Sequence, residues 1–243
     1  MKLVESIMTQ NPCYTAGRKI TVKGLMLHSV GCPQPSASVF IKNWNKSTYN
    51  NACVHGFIDA NDGTVYQTLP WNHRGWHGGG SSNNTHIGVE MCEPSCIKYT
   101  SGANFTCSDL ASARAAAKRT HDAAVELFAM LCEKFSLDPL KDICSHKEGC
   151  AKGIASNHGD PEHLWTQLGT SYTMDSFRKA VKAKMDENKL DNTPASWAKD
   201  AVSWAVENKL MEGGTNGDLM LRSPITREQF CVMLKRYHDK FHK

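Results

Sequence analysis

The sequence predicts an α/β domain, a mixed β-sheet flanked by helices, followed by a small and mainly helical C-terminal domain. Three observations carry that prediction. Short β-branched and apolar runs alternate with turn signals as far as Met91. From Thr106 the hydrophobic period becomes helical, and at Asp186–Thr193 the composition turns polar before two further helical patterns.

The first run, "ITVKGLMLHSVG", is apolar and breaks at Gly31-Cys32-Pro33, which predicts a buried strand delivering His28 to its end. "NACVHGFIDANDGTVYQTL" alternates on either side of Asn61-Asp62-Gly63, the turn chemistry of a hairpin with glycine at a positive-φ position. "HIGVEMCE" adds a strand with Gly88 and Glu90 on one face and Val89 and Met91 on the other. Behind a Thr106-x-x-Asp109 capping pattern, Leu110, Ala113, Ala117, Ala124, Leu127, Leu131 and Phe135 fall at helical spacing and predict one long amphipathic helix. "TMDSFRKAVKAKM" predicts another, with Phe177, Val181 and Met185 on its inner stripe.

These patterns divide the chain into a domain over residues 1–185, a linker over 186–193 and a second domain over 194–243. In the second domain, Pro194 opens a helix to Leu210 carrying Trp197, Ala201, Trp204 and Ala205. Thr226-x-x-Gln229 caps another, with Phe230, Met233, Leu234 and Tyr237 expected to face inward. Residues 186–243 hold nine Lys/Arg and nine Asp/Glu, so the net charge of +4 belongs to the first domain. Two helices make a marginal core, which predicts packing against a partner or a second copy, a homo-oligomer.

Composition narrows the function. At 40% hydrophobic and 21% charged residues the chain has the balance of a folded globular protein. No apolar run approaches the roughly 18–20 residues that span a bilayer, so there is no transmembrane segment. "MKLVESIMTQNP" lacks the apolar centre of a secretory signal, and synthesis in the cytoplasm is expected. Charge is mild and no basic cluster alternates with aromatics, which excludes a nucleic-acid groove. The ten cysteines include no CxxC pair and are read mainly as small buried thiols. Cys92, Cys96 and Cys107 are close enough in sequence to bridge should the protein end outside a cell.

The chemistry concentrates in "SHKEGCAKGIASNHGDPEHLW", Ser145 to Trp165. A catalytic zinc site takes three ligands from His, Asp, Glu or Cys and leaves one position to water. Candidates here are Cys144, His146, Cys150, His158, Asp160 and His163. His158 and Asp160 share a face of an extended segment, and the arc from Gly149 to Gly159 lets the chain curl back towards His146. A further ligand must come from elsewhere, and His28 at its strand end is best placed.

"LHSVG", "WHGG" at Trp76–Gly79, "IGVEM" at Ile87–Met91, His146 and then "HGDP", in that order, resemble the zinc-dependent N-acetylmuramoyl-L-alanine amidases of phage endolysins and peptidoglycan-recognition proteins. The resemblance spans roughly residues 20–185. It implies zinc ligands at His28, His146 and Asp160, a catalytic Glu90, and a basic residue two before the metal aspartate at His158, where many members carry lysine. That histidine has two roles open to it: polarising the scissile carbonyl, or replacing Asp160 as a ligand. The DP position of Asp160 favours the first. Trp76 and His77 are expected to line the substrate cleft, and the segment carrying Cys150 and Lys152 reads as a loop insertion shaping access.

"WAKDAVSWAVENKLMEGGTNGDLMLRSPITREQF" resembles a single S-layer-homology module, a type that binds cell-wall polymers. Together the resemblances imply an endolysin that waits in the host cytoplasm and then cleaves peptidoglycan. The alternatives are a peptidoglycan-binding protein without catalysis and a recycling amidase acting on soluble muropeptides. His28, His146, Asp160 and Glu90 all being present opposes the former, and the appended module opposes the latter.

Overall fold

The structure, a computed structural model, describes residues 1–188, 191–214 and 217–242. The chain forms two compact units, Met1–Asp186 and Glu187–Lys243. The segment read as a linker, 186–193, begins inside a helix that runs to Asn188, and its Lys189 and Leu190 lie outside the described residues, as do Thr215 and Asn216 of the later loop.

The first unit is built on a mixed six-stranded sheet. Its strands are β1 (Leu3–Glu5), β2 (Gly24–Ser29), β3 (Gly56–Ile58), β4 (Val65–Gln67), β5 (His86–Met91) and, after a separate ribbon of β6 (Ile97–Ser101) and β7 (Asn104–Cys107), β8 (Ile143–Ser145). The order is β1-β4-β3-β5-β2-β8. Only β3 and β4 run antiparallel, joined through the expected turn with Gly63 at φ 75°. The helices are α1 (Pro12–Thr15), α2 (Ala37–Trp44), α3 (Leu110–Phe135), α4 (His146–Ala151), α5 (Glu162–Gln167) and α6 (Met174–Asn188).

The alternation in β2 and β5 decides the two sheet faces. Leu25, Leu27, Ile87, Val89 and Met91 are fully buried in the main core with Leu127, Phe128 and Leu131 of α3 and Phe177 and Val181 of α6. The opposite face presents Gly24, Met26 and His28 beside His86, Gly88 and Glu90, paired in that register. Phe57 of β3 is level with Glu90 and packs against Phe40 and Trp44 of α2.

The N-terminus of α3 differs from the expected capping pattern. Asp109, not Thr106, is the cap, and its side chain accepts from Ser112 N at 3.0 Å. Thr106 is taken up in β7, paired with Lys98 of β6. All ten cysteines are free thiols, and only half of them are buried: Cys13, Cys53, Cys92, Cys132 and Cys144. Among the described residues no helix is long and apolar enough to cross a membrane.

The second unit contains a 3-10 turn at Ser196–Ala198, α7 (Lys199–Glu207) and α8 (Arg227–Phe241). The predicted box at Thr226 and Gln229 forms, with the Thr226 hydroxyl accepting from Gln229 N at 3.1 Å. The predicted inward face does not. Phe230 is 53%, Leu234 51% and Tyr237 41% exposed, and Trp197 reaches 89%. Leu210 is the one large apolar side chain fully enclosed there among the described residues. Two short helices and a loop offer too little surface to cover each other's apolar stripes.

Phe177 touches Phe128, Trp165 and His121 and is completely buried, so Phe177→Ala leaves an aromatic-sized void. Urea denaturation followed by circular dichroism is expected to show a loss of about 3–5 kcal/mol.

Candidate active site and metal centre

Four elements deliver the site. His28 is the fifth residue of β2 and only 1% exposed, and Glu90 stands level with it on β5. His146 opens α4, whose start is fixed by a reciprocal cap: Glu148 N donates to Ser145 Oγ at 3.0 Å and Ser145 N to Glu148 Oε2 at 3.2 Å. Arg178 of α6 anchors that glutamate at 2.8 Å. Asp160 stands just before α5, and its Oδ2 accepts from Ser29 N at 3.4 Å. The segment carrying Cys150 is therefore helical rather than an access loop, and α4 packs down on the sheet at Gly149, where a Cβ would sit 2.7 Å from Met26 Cε.

His28, His146 and Asp160 converge. His28 Nδ1 lies 3.1 Å from His146 Nδ1 and 3.2 Å from Asp160 Oδ2, and His146 Nδ1 lies 3.6 Å from Asp160 Oδ1. One ligand atom from each falls within 4.8 Å of the others, the one such group among the described residues. A tetrahedral ion with bonds of about 2.0–2.1 Å spaces its ligands roughly 3.3 Å apart, so this trio fits a single small divalent cation. The remaining candidates point elsewhere. Cys150 Sγ meets Asn157, His163 Nε2 meets the Tyr99 hydroxyl at 2.7 Å, and Cys144 is buried in β8. His158 is exposed, with Nδ1 3.0 Å from Ser156 Oγ and its ring 4.4 Å from that of His146.

Burial and crowded charge shift these groups. Burial works against a charge on His28, but the bond to Asp160 and the nearby Glu90 carboxylate lift its pKa above the ordinary histidine value. Burial, and then His28 itself, push His146 down to about 4. Glu90 rises to about 8, mainly through burial, and its Oε2 has no hydrogen-bond partner. An unpartnered buried carboxylate oxygen is costly unless something else comes to it. Glu93, fully buried, rises to about 7 for the same chief reason, although it accepts from Tyr99 Oη at 2.8 Å and Gly31 N at 3.1 Å.

A cavity of about 620 Å³ opens over the trio and Glu90, bordered by Asn51, Trp76 and the β6–β7 turn at Gly102 and Ala103. Gln167 of α5 ties that turn down, accepting from Phe105 N at 3.0 Å and donating to Ala103 O at 2.7 Å. Trp76, 46% exposed, borders the cavity. His77 also lines it, 9% exposed at the floor, with both ring nitrogens engaged, Nδ1 with His28 Nε2 and Nε2 with His86 O, each at 3.0 Å. Its ring lies flat over Gly88, where a Cβ would fall 2.3 Å from it; Gly24 likewise makes room for the His86 ring, 2.6 Å from a Cβ there. Sequence reasoning missed Ser156, Glu93 and Tyr99. Ser156 had a signal, since Ser156, His158 and Asp160 alternate along one extended segment.

The model of the N-acetylmuramoyl-L-alanine amidase family matches residues 17–163, a span that includes every residue of this cavity. The chain belongs to that family. Among curated relatives, the N-acetylmuramoyl-L-alanine amidase XlyA of Bacillus subtilis (strain 168) is 36% identical over 77 residues, 30% of this chain and 24% of the relative. The chain thus matches about a quarter of that relative's length. Of solved structures, the Staphylococcus aureus hydrolase AmiA in complex with its ligand superposes with a TM-score of 0.56 at 20% identity, over 76% of this chain and 83% of that one. The catalytic domain of XlyA gives 0.50 at 22% identity, over 74% and 99%. The amidase-family fold is therefore shared where sequence has largely diverged.

Within this family member, Glu93, just behind Ser29 and Gly31, provides a pH handle next to the converging trio. Its folded pKa of about 7 exceeds the ordinary 4.5, so the folded chain holds a proton that the unfolded chain releases. Stability contributed by Glu93 is present below about 4.5 and lost as pH rises through about 7. Glu93→Gln removes the penalty: thermal melts are expected to show a relative gain on the order of 2–3 kcal/mol at pH 8 and little change at pH 4.5.

Proposed function

We propose that the chain is a zinc-dependent N-acetylmuramoyl-L-alanine amidase that serves a phage or prophage as its endolysin. The observation that carries this reading is the convergence of His28 Nδ1, His146 Nδ1 and the Asp160 carboxylate beside an unpartnered buried Glu90. The bond cleaved is the amide between the lactyl group of N-acetylmuramic acid and L-alanine of the peptide stem. Membership of the family supports that bond, and the solved relatives support the fold that presents it.

His28, His146 and Asp160 would hold zinc, which when bound would supply a Lewis acid for the amide carbonyl and for the attacking water. Glu90, buried and with an unpartnered oxygen, is placed to take the proton of the attacking water as the water's oxygen bonds to the carbonyl carbon. When the C–N bond breaks, Glu90 returns the proton to the departing amine, leaving a carboxylic acid and a free L-alanine amino group. His158 borders the cavity with Nδ1 held against Ser156 Oγ; because that hydroxyl gives its own hydrogen to Gly78 O, Nδ1 donates, and His158 is assigned the developing oxyanion in its doubly protonated form, with Nε2 as the donor. Trp76 offers an exposed indole for substrate contact.

The second unit is read as an S-layer-homology-like module that holds the enzyme on a cell-wall polymer, alone or through assembly with further copies. Its support is an apolar groove of about 950 Å³ lined by Trp197, Met211, Leu221 and Val232, on a unit that leaves much of its aromatic surface outside.

Purified walls should lose turbidity and gain free amino groups, without new reducing sugar ends, on addition of the zinc-loaded protein. Lysis that persists undiminished after chelation would reject the zinc reading. Glu90→Gln is expected to keep bound zinc while turnover falls about 10²–10⁴-fold. His158→Ala is expected to lower turnover about 10²–10³-fold. Trp197→Ala, at a side chain with almost no internal packing, should reduce co-sedimentation with walls while the melting temperature stays put; unchanged sedimentation would remove the wall-binding role from this groove.

A further inference from the structure

We propose that His77 and Ser156 form a two-armed clamp that fixes both His28 and His146 as Nε2–H tautomers, turning each Nδ1 lone pair towards the metal. The inference rests on the reading that these histidines hold zinc. It assigns His77 and Ser156 as positioning residues, with both arms ending on the Trp76–Gly79 segment.

The first arm follows from donor and acceptor logic. His86 O can only accept, so His77 Nε2, 3.0 Å away, carries the hydrogen. A neutral imidazole has one such hydrogen, which leaves His77 Nδ1 as an acceptor for His28 Nε2 at 3.0 Å. In neutral His28, the form in which a histidine ligates a metal, Nδ1 is then a bare lone pair, and it is this atom that faces His146 and Asp160. In the second arm, Ser156 Oγ lies 3.3 Å from Gly78 O, which takes the hydroxyl hydrogen. Ser156 Oγ is thereby left to accept from His146 Nε2 at 3.1 Å, and His146 Nδ1 is turned inward.

The clamp is rigidly seated. Asn83 Oδ1 accepts from both His77 N at 2.8 Å and Gly78 N at 2.9 Å, pinning the segment that bears both arms. The Ser156 backbone reinforces it, with N donating to Gly78 O at 2.7 Å. The His77 ring rests against the bare backbone of Gly88, in space that a Cβ there would take. Partners that set the tautomer and orientation of a ligating histidine commonly govern metal affinity by about 10–100-fold.

The test uses the full-length zinc-loaded protein, with zinc affinity read by competition against a chromophoric chelator and imidazole tautomers read by nitrogen-15 NMR. His77→Ala and Ser156→Ala are each expected to weaken zinc binding about 10–100-fold. His77→Asn, whose Oδ1 reproduces the acceptor, should restore most of the loss, a distinction that mere space-filling would not produce. In the unaltered protein both His28 and His146 should show a protonated Nε2 and a metal-bound Nδ1. Full-strength zinc binding by folded His77→Ala and Ser156→Ala, or metal found on Nε2 of either histidine, would overturn the clamp while leaving the amidase reading intact. Should His77→Ala fail to fold, the Ser156→Ala affinity and the unaltered protein's tautomers decide. An unaltered chain that binds no zinc would overturn the metal reading, and the clamp with it.

Discussion

The parallel pairing of β2 with β5 is the constraint on which the site depends. It sets His28 level with Glu90 on adjacent strands, both on the face turned away from the main core. Side chains in a strand alternate, so a slip of one residue would drive the imidazole into the apolar layer and expose Leu27 in its place. The apolar face forbids that slip. Leu25, Leu27, Ile87, Val89 and Met91 are all fully buried, and moving any of them to the polar side would forfeit its burial. Hydrophobic patterning on one side of the sheet thus aligns chemistry on the other.

What the sheet aligns is electrostatically uncomfortable by itself. Three acceptor atoms from His28, His146 and Asp160 crowd together, with Glu90 beside them and Glu93 close behind Ser29 and Gly31. The shifts record the discomfort: His146 is depressed, Glu90 and Glu93 are raised, and His28 is pushed towards holding a proton. A divalent cation among these atoms, as proposed above, would add positive charge and favour the deprotonated form of each neighbour. Affinity for such an ion and stability of the fold are then coupled through the same residues.

Much of this was legible in the sequence because it sits on local periodicity. The run ending at His28, the alternation around Glu90 and the helical stripe through Leu127 and Phe177 are patterns within a single segment. His146 and Asp160 stood out through the density of polar groups among glycines. What escaped depends on distant partners. Strands β1 and β8 are three residues each, too short to show a period, and exist because β4 and β2 pair with them. His77 read only as a cleft residue because nothing local reveals that His28, His86 and Gly88 surround its ring. Ser156 shared the visible two-residue alternation, but its importance comes from Gly78, seventy-eight positions away. In the second unit the helical stripes were read correctly as stripes, and their exposure was not foreseen, because periodicity reports that a face is apolar and not what covers it.

The glycines beneath the site have a consequence for how the protein can vary. At Gly24, Gly88 and Gly149 even a methyl group would come within 2.6, 2.3 and 2.7 Å of His86, His77 and Met26 respectively. At Gly24, with Asp142 O also 2.8 Å away, and at Gly88, under the His77 ring, substitution is opposed by volume rather than by chemistry; at Gly149 the flexible end of Met26 can give way. A randomised library at Gly24 and Gly88 would retain glycine almost alone, while the exposed border at Trp76 and Asn51 carries no such steric limit. Variation that reshapes the cavity is therefore channelled to its border, with the floor beneath His77 and His86 held nearly invariant.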